Sequence, residues 1–190
     1  MLLDPLDVCV FYHLHAELLM FVNRRLRALP DILSIQEEFY DLPISDRRVL
    51  IQAWLANLDL TDVFIEENPA DLIKEELDIV RGWRHPLMDR FYVLRDRKPR
   101  TIFLQLSDPA IAYGVIGLAH SFEQLIGPHF PVLIRTVLLP YRGEIIYDGV
   151  LDIGDEIDTE FLRVIRNTCD LAIRKYGIIT SLPSGAASWK

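Results

Sequence analysis

The feature that most constrains the fold is a change of sequence period near residue 90. From 91 to 151, β-branched and aromatic residues crowd into short runs separated by turn residues, a pattern typical of strands. Helical periodicity lies on both sides of this stretch. The strand-like runs are 91–95, 101–106, 111–118, 132–139 and 144–151. We therefore predict a mostly antiparallel sheet of about five strands, connected in sequence order as a meander.

Turn residues between these runs support the sheet. The segment 140–143, which ends in Gly143, separates the last two runs and predicts a hairpin. Gly114 and Gly117 in the third run indicate a bulge or the close approach of another backbone. The fourth run has no polar side between 137 and 139, so we expect a sheet covered on both faces, or on one face and by a partner.

Helices are predicted on either side of the sheet. Apolar positions recur every three or four residues from 8 to 29, and Pro5 suits the first turn of this long helix. The segment 31–57 predicts two shorter helices. Asn68 and Pro69 predict the cap and first residue of another, which ends before Gly82. A closing helix is expected from about 158 to 176.

These elements predict an α+β fold, with N-terminal helices packed on the sheet and a C-terminal helix closing it. The chain has 190 residues and half of them are apolar, so a self-sufficient core is expected. We predict a single domain, 1–190, with a helical part at about 1–85, a sheet part at about 91–153 and the closing helix at about 158–176. A split near Gly82 into a helical and a sheet lobe is the alternative.

Composition restricts the class of protein. The net charge of -8 argues against a general polyanion binder. Cys9 and Cys169 lie far apart and belong to no C-x-x-C pair, so neither a disulfide framework nor a zinc site is indicated. No basic residue precedes the first apolar run, and the runs of the sheet region are too short to span a bilayer. We expect a soluble, cytoplasmic protein without membrane contact.

Motifs for catalysis or cofactor binding are not found in the sequence. It contains neither a G-x-S-x-G elbow nor a phosphate-binding glycine loop, and we predict no catalytic residue, no metal site and no cofactor. His13 and His15 are two apart on a helix, so they cannot share one metal ion. His15 falls on the apolar stripe, and we expect a core histidine with satisfied hydrogen bonds.

A switch of charge is the strongest local anomaly. Residues 59–78 hold eight acidic residues and one basic, whereas residues 81–100 hold seven basic and two acidic. One hypothesis is that the basic stretch binds phosphate or single-stranded nucleic acid, with aromatic rings stacking on bases. Its candidate binding residues are Arg84, His85, Arg95, Arg97, Lys98 and Arg100. The structural alternative, which we favour, is that the two segments pair with each other and with helix dipoles.

The leading functional hypothesis is a non-catalytic interaction or regulatory domain that binds a protein partner or forms a homodimer. It depends on the missing catalytic motifs and on the apolar hairpin, since exposed apolar surface or a free sheet edge is a normal route to association. Nucleic-acid or phosphate binding through 81–100 is the alternative. A small hydrolase of unrecognised type, with His85 or His120 as a base, is the third hypothesis.

Overall fold

The computed structural model describes residues 1–29, 39, 42–97, 99–127, 130–154 and 157–183, and for 95–97 it describes the backbone only. The described chain divides into two compact units. A sheet unit comprises Met1–Asp4 and Leu87–Leu182, and a helical unit comprises Pro5–Pro86 together with Pro183. The division after Pro86 lies close to the split near Gly82 that the sequence offers as an alternative. A single domain spanning 1–190 stays a prediction.

The helical unit contains α1 (Pro5–Leu26), α2 (Ile44–Leu55), α3 (Asp59–Glu67) and α4 (Lys74–Gly82). Buried aromatic side chains hold these helices together. The indole of Trp54 on α2 donates a hydrogen bond of 2.9 Å to the hydroxyl of Thr61 on α3, and both residues are fully buried. Phe21 on α1 meets Phe64 on α3 edge to face, with ring centroids 5.4 Å apart. The unit therefore has an apolar core of its own.

The start of α4 differs from the prediction. Asn68 ends α3 in the left-handed conformation, with φ 43 and ψ 56, and does not cap the next helix. Its side-chain amide bonds both the backbone N–H and the carbonyl of Leu72, at 2.9 and 3.0 Å. The helix begins only at Lys74, where the Glu76 carboxylate accepts a hydrogen bond from the Ile73 N–H. Asparagine suits caps and left-handed turns alike, so the residue type alone could not separate the two roles.

The first helix is long and apolar enough to cross a membrane by length and composition, and 56% of its most apolar stretch is buried inside the structure. A core helix of a soluble protein passes the same test. The helix begins at Pro5, as predicted. Of the two helices predicted within 31–57, α2 matches the second, whereas most of the first lies outside the described residues.

The sheet unit confirms the α+β class and a mostly antiparallel sheet, but with seven strands. These are β1 (Leu87–Arg97), β2 (Arg100–Gln105), β3 (Ile111–Ile116), β4 (Val132–Tyr141), β5 (Glu144–Tyr147), β6 (Asp152–Ile153) and β7 (Ile178–Ile179). Two helices join them, α5 (Phe122–Ile126) and α6 (Thr159–Tyr176). The predicted run 144–151 is interrupted after Tyr147, and β7 pairs with β3 from beyond the closing helix.

The strands close into a ring instead of forming a meander. β3 pairs in parallel with β5, and β1 pairs with both β2 and β4, which gives the order β1-β2-β3-β5-β4-β1. The first part of β1 lies along β4 and its last part along β2; Tyr92 and Val93 pair with both neighbours. With a short helix between β3 and β4, this is the strand order of the OB-fold, a Greek-key barrel of five strands.

Side chains fill the inside of this ring and cover part of its outside. Inside, aromatic contacts run from Phe91 through Phe103 and Phe122 to Tyr147, with successive centroids 5.9, 4.9 and 5.2 Å apart. Outside, α6 packs on the β2–β3 face in a buried cluster formed by Ile102, Leu104, Ala112, Ile165, Cys169 and Ala172. Strands β2 and β3 are therefore buried on both faces. The apolar residues 137–139 of β4, for which the sequence predicts a covered sheet, are also buried within the chain. The β4–β5 hairpin therefore does not expose the apolar surface on which the interaction hypothesis depended.

Two local predictions about turns and glycines are confirmed. The β4–β5 hairpin turns at Arg142 and Gly143, which have positive φ values of 47 and 83. At Gly117 a Cβ atom would lie 2.6 Å from the backbone oxygen of His120, so another backbone does approach closely there. Ser121 caps α5 through hydrogen bonds exchanged with Gln124.

Candidate functional site

Within the helical unit, the charged segments pair with each other. Arg84 forms an ion pair with Asp62, and Arg81 forms one with Asp78. Each pair joins the basic segment to the acidic one, which is the arrangement that the structural alternative predicts. All four side chains keep substantial exposure, so each pair contributes little to stability by itself. Arg84 is nonetheless engaged by a carboxylate, and His85 beside it is exposed.

The remaining candidate binding residues lie in the sheet unit. Arg100 donates to the carboxylate of Glu144, with Nε and Oε2 3.1 Å apart. Arg95 and Arg97 belong to β1. Their side chains, and the whole of Lys98, lie outside the described part of the chain. The structure thus places two of the six predicted residues, Arg84 and His85, in the helical unit and three on strands of the sheet unit.

Two of the three aromatic residues of the basic stretch are packed in the interior. Trp83 and Phe91 are fully buried, the first in the helical unit and the second inside the barrel. Tyr92 lies on the outside of β1, where it meets Phe161 of α6 edge to face at 5.9 Å. The rings of Trp83 and Phe91 therefore have no open face on which a base could stack.

His15 is buried, as predicted, but its hydrogen bonds are not all satisfied. Its ring stacks on Phe11 at 5.3 Å and meets Trp54 and Trp83 edge to face at 6.1 and 5.9 Å. Its Nε2 atom has no hydrogen-bond partner. Burial, and secondarily the positive charge of Arg47, lower the pKa of His15 to about 3. The histidine is therefore neutral at physiological pH.

A second buried titratable group directly follows β5. Asp148 is almost fully buried, and its Oδ1 accepts a hydrogen bond of 3.0 Å from the Val150 N–H. Burial raises the pKa of this carboxyl to about 7, against the opposing effect of its hydrogen bonds. The sequence places Asp148 directly after an apolar strand but gives no signal for its burial.

The two histidines proposed as alternative bases of a hydrolase show no catalytic arrangement in the described part of the chain. His85 belongs to the helical unit and His120 follows β3 in the sheet unit, and both are exposed. Neither imidazole has a hydrogen bond to a carboxylate in the described ranges. Over those same ranges, no group of three or more histidine, cysteine, aspartate or glutamate side chains could hold a metal ion.

An apolar surface of the sheet unit was missed in the sequence. Phe161, Val164 and Leu171 on α6 are 40%, 49% and 64% exposed, and with the half-buried Thr168 they form one line along the helix. We call these four residues the outer stripe of α6. Their spacing of 3, 4 and 3 residues is the heptad spacing of helices that pack on other helices. It could have been read from the sequence beside the inward-facing positions.

A pair of arginines on the outside of the barrel was also missed. Arg90 on β1 lies directly opposite Arg135 on β4, and both side chains are exposed. Arg135 is the one charged residue in the apolar run 132–139, which is the signal that the sequence offered.

Comparison of the chain with protein-family models, curated proteins and solved structures gave no match.

Proposed function

We propose that the protein is an interaction domain that self-associates, with the outer stripe of α6 as the contact between two copies. The exposure of Leu171, at 64%, is the observation that carries this proposal. Helix α6 already buries its other face. The side chain of Leu171 therefore contributes to stability only if another surface covers it. Burying one such side chain stabilises an assembly by about 1.5–3 kcal/mol.

The stripe fits a second copy of itself in an antiparallel arrangement. Two α6 helices related by a two-fold axis near Thr168 would bring Val164 of each copy to Leu171 of the other. The same arrangement places Glu160, before the stripe, near Arg174, beyond it. Both of these side chains are exposed, and they carry opposite charges. Self-complementarity of this kind is what a two-fold interface requires.

Two features favour self-association over nucleic-acid binding. The β2–β3 face is where OB-fold barrels bind oligonucleotides, and here α6 packs on it. The candidate arginines whose side chains are described, Arg84 and Arg100, are paired with carboxylates. Fold-level analogy is weak evidence for function, and in this chain the packing of α6 opposes it.

The test is sedimentation velocity of the full chain over a hundredfold range of concentration. We expect the wild type to sediment as a dimer and Leu171→Glu to sediment as a monomer, because the new carboxylate would be buried without a partner. Leu106→Glu is the matched control, since Leu106 is 44% exposed in the same unit but lies outside α6. It should leave the dimer intact.

Far-UV circular dichroism of both variants checks that each one is folded. A wild type that stays monomeric at the highest concentration would contradict the proposal. So would equal dissociation by Leu106→Glu and Leu171→Glu, because the effect would then not be specific to the stripe.

A further inference from the structure

The outside of β1 and β4 carries an arrangement that is unfavourable for a strand pair on its own. Arg90 and Arg135 are directly opposite in the antiparallel register, so their side chains leave the same face of the sheet. Directly opposed residues have Cβ atoms about 4.5–5.5 Å apart, and like charges at this distance destabilise the pair. Both side chains are exposed. The fold therefore keeps two positive charges together on an open surface.

No carboxylate in the described ranges forms an ion pair with either guanidinium. The Nη2 atom of Arg135 lies 3.8 Å from the sulfur of Met88, the next residue along β1 on the same face. The backbone N–H of Arg90 is bonded to the Asp89 carboxylate at 2.7 Å, but Asp89 points to the opposite face of the strand. These contacts leave the donors of both guanidinium groups available to a ligand.

We propose that Arg90 and Arg135 form a binding site for the phosphate group of a phosphorylated ligand. Guanidinium groups present planar, paired donors that match the oxygens of phosphate. Two guanidinium groups can therefore bind one tetrahedral anion together. The rigid β1–β4 pair fixes the distance between them. Bound phosphate would also remove the repulsion between the two arginines.

Asp152 limits the charge of this site. It pairs with Arg135 across β4 and β6, on the side away from Arg90, so the row across the three strands is Arg90, Arg135, Asp152. Its carboxylate offsets one of the two positive charges. Asp152→Asn is therefore expected to tighten phosphate binding.

The test measures the melting temperature of the full chain in inorganic phosphate and in chloride at equal ionic strength. We expect phosphate to raise the Tm of the wild type. Arg90→Gln and Arg135→Gln should weaken phosphate binding at least about tenfold, since each removes charge-assisted hydrogen bonds. Arg166→Gln is the matched control, because Arg166 is an exposed arginine of the same unit on α6.

A second readout follows from the repulsion. In chloride, Arg90→Gln should melt about 1–3 °C above the wild type, because it removes one of the two facing charges and leaves Arg135 beside Asp152. A single-stranded oligonucleotide in place of inorganic phosphate identifies the source of the phosphate. If the oligonucleotide binds the wild type and not the two arginine variants, the ligand is a nucleotide chain. If inorganic phosphate binds and the oligonucleotide does not, the ligand is a small phosphate ester.

Two results would overturn the proposal. One is a phosphate response that survives unchanged in both Arg90→Gln and Arg135→Gln. The other is a wild type that phosphate stabilises no more than chloride does. Because the site does not include the outer stripe of α6, either result can be obtained whether or not the protein forms a dimer.

Discussion

The hydroxyl oxygen of Thr136 lies 3.2 Å from Oδ1 of Asp148, inside the sheet unit. It also lies 2.7 Å from the carbonyl oxygen of Val150. A hydroxyl has one hydrogen to donate, and a carbonyl oxygen can only accept. The Thr136 hydroxyl therefore donates mainly to Val150, at the shorter distance, and its longer bond to Asp148 is the weaker of the two. Burial outweighs this weak hydrogen bond, so the pKa of Asp148 is raised.

The first prediction is that Asp148→Asn changes how stability depends on pH. The pKa of Asp148 is raised from 3.8 to about 7, so between these values the folded chain holds a proton that the unfolded chain has lost. The stability that this proton contributes is present at low pH and is lost as pH rises through 7. Asparagine stays neutral and avoids the loss. From pH 4 to pH 8 the free energy of unfolding should shift in favour of the variant by on the order of 2–4 kcal/mol.

The measurement is urea unfolding of the wild type and Asp148→Asn at several pH values. The difference between the two proteins at each pH isolates this residue, because every other titration is common to both. A difference that does not change between pH 4 and pH 8 would show that the carboxyl is ionised or solvated in the folded protein.

The second prediction concerns His15, which makes stability depend on pH in the opposite direction. Its pKa falls from 6.5 to about 3, so the unfolded chain takes up a proton below pH 6.5 that the folded chain refuses. The stability is fully present above pH 6.5 and is lost as pH falls toward 3. His15→Phe keeps the stacking on Phe11 and removes both the titration and the unpartnered Nε2. The free energy of unfolding of His15→Phe, relative to that of the wild type, should be about 2 kcal/mol higher at pH 5 than at pH 8.

Thermal melts at pH 5 and pH 8 decide this prediction. His15→Leu is the control for packing, because it also removes the titration but leaves less volume in the aromatic cluster. Both variants should show the same dependence on pH even if their stabilities differ. If neither variant gains stability relative to the wild type between pH 8 and pH 5, His15 is protonated in the folded protein at pH 5.

The class of the fold was predictable because it depends on local periodicity. The strand-like runs from 91 to 139 each became one strand, and the closing helix begins after Asp158, whose carboxylate accepts a hydrogen bond from the Glu160 N–H. The closure of the sheet was not predictable, since it depends on β1 pairing with two strands at once. Residues 39 to 51 apart in sequence meet there, and no pattern in one chain specifies which strands are neighbours.

The same rule holds for the candidate surfaces. The pairing of Arg84 with Asp62 was expected from the switch of charge. Arg90 and Arg135 could not be placed together without the register of β1 and β4, although Arg135 was visible as a charge within the predicted run 132–139. Facing partners across a sheet are a property of topology, whereas the outer stripe of α6 is a property of spacing alone and was open to prediction.

The third prediction compares two glycines on the third strand-like run. At Gly117 an added Cβ would lie 2.6 Å from the backbone oxygen of His120, whereas at Gly114 it would lie 2.9 Å from the Cδ of Arg100. A backbone oxygen cannot move aside, but the end of a long side chain can. We expect Gly117→Ala to lower the free energy of unfolding by about 2–3 kcal/mol and Gly114→Ala by about 1 kcal/mol. Urea unfolding of both variants tests the order, and a larger loss for Gly114→Ala would contradict it.

The last prediction tests the orientation of the proposed α6 dimer. In the antiparallel arrangement, Glu160 of one copy faces Arg174 of the other, so the single change Glu160→Arg should weaken the dimer by placing like charges together. Arg174→Glu should do the same. The double variant restores opposite charges across the axis, and its dimer affinity should return toward that of the wild type. Sedimentation at low salt measures the dimer affinity of all three variants, because exposed ion pairs are screened as salt rises.

In a parallel dimer, each residue would face the same residue of the other copy. Each single change would then replace one like-charge pair by a like-charge pair of the opposite sign. Full recovery in the double variant after losses in both single variants therefore fits only the antiparallel arrangement.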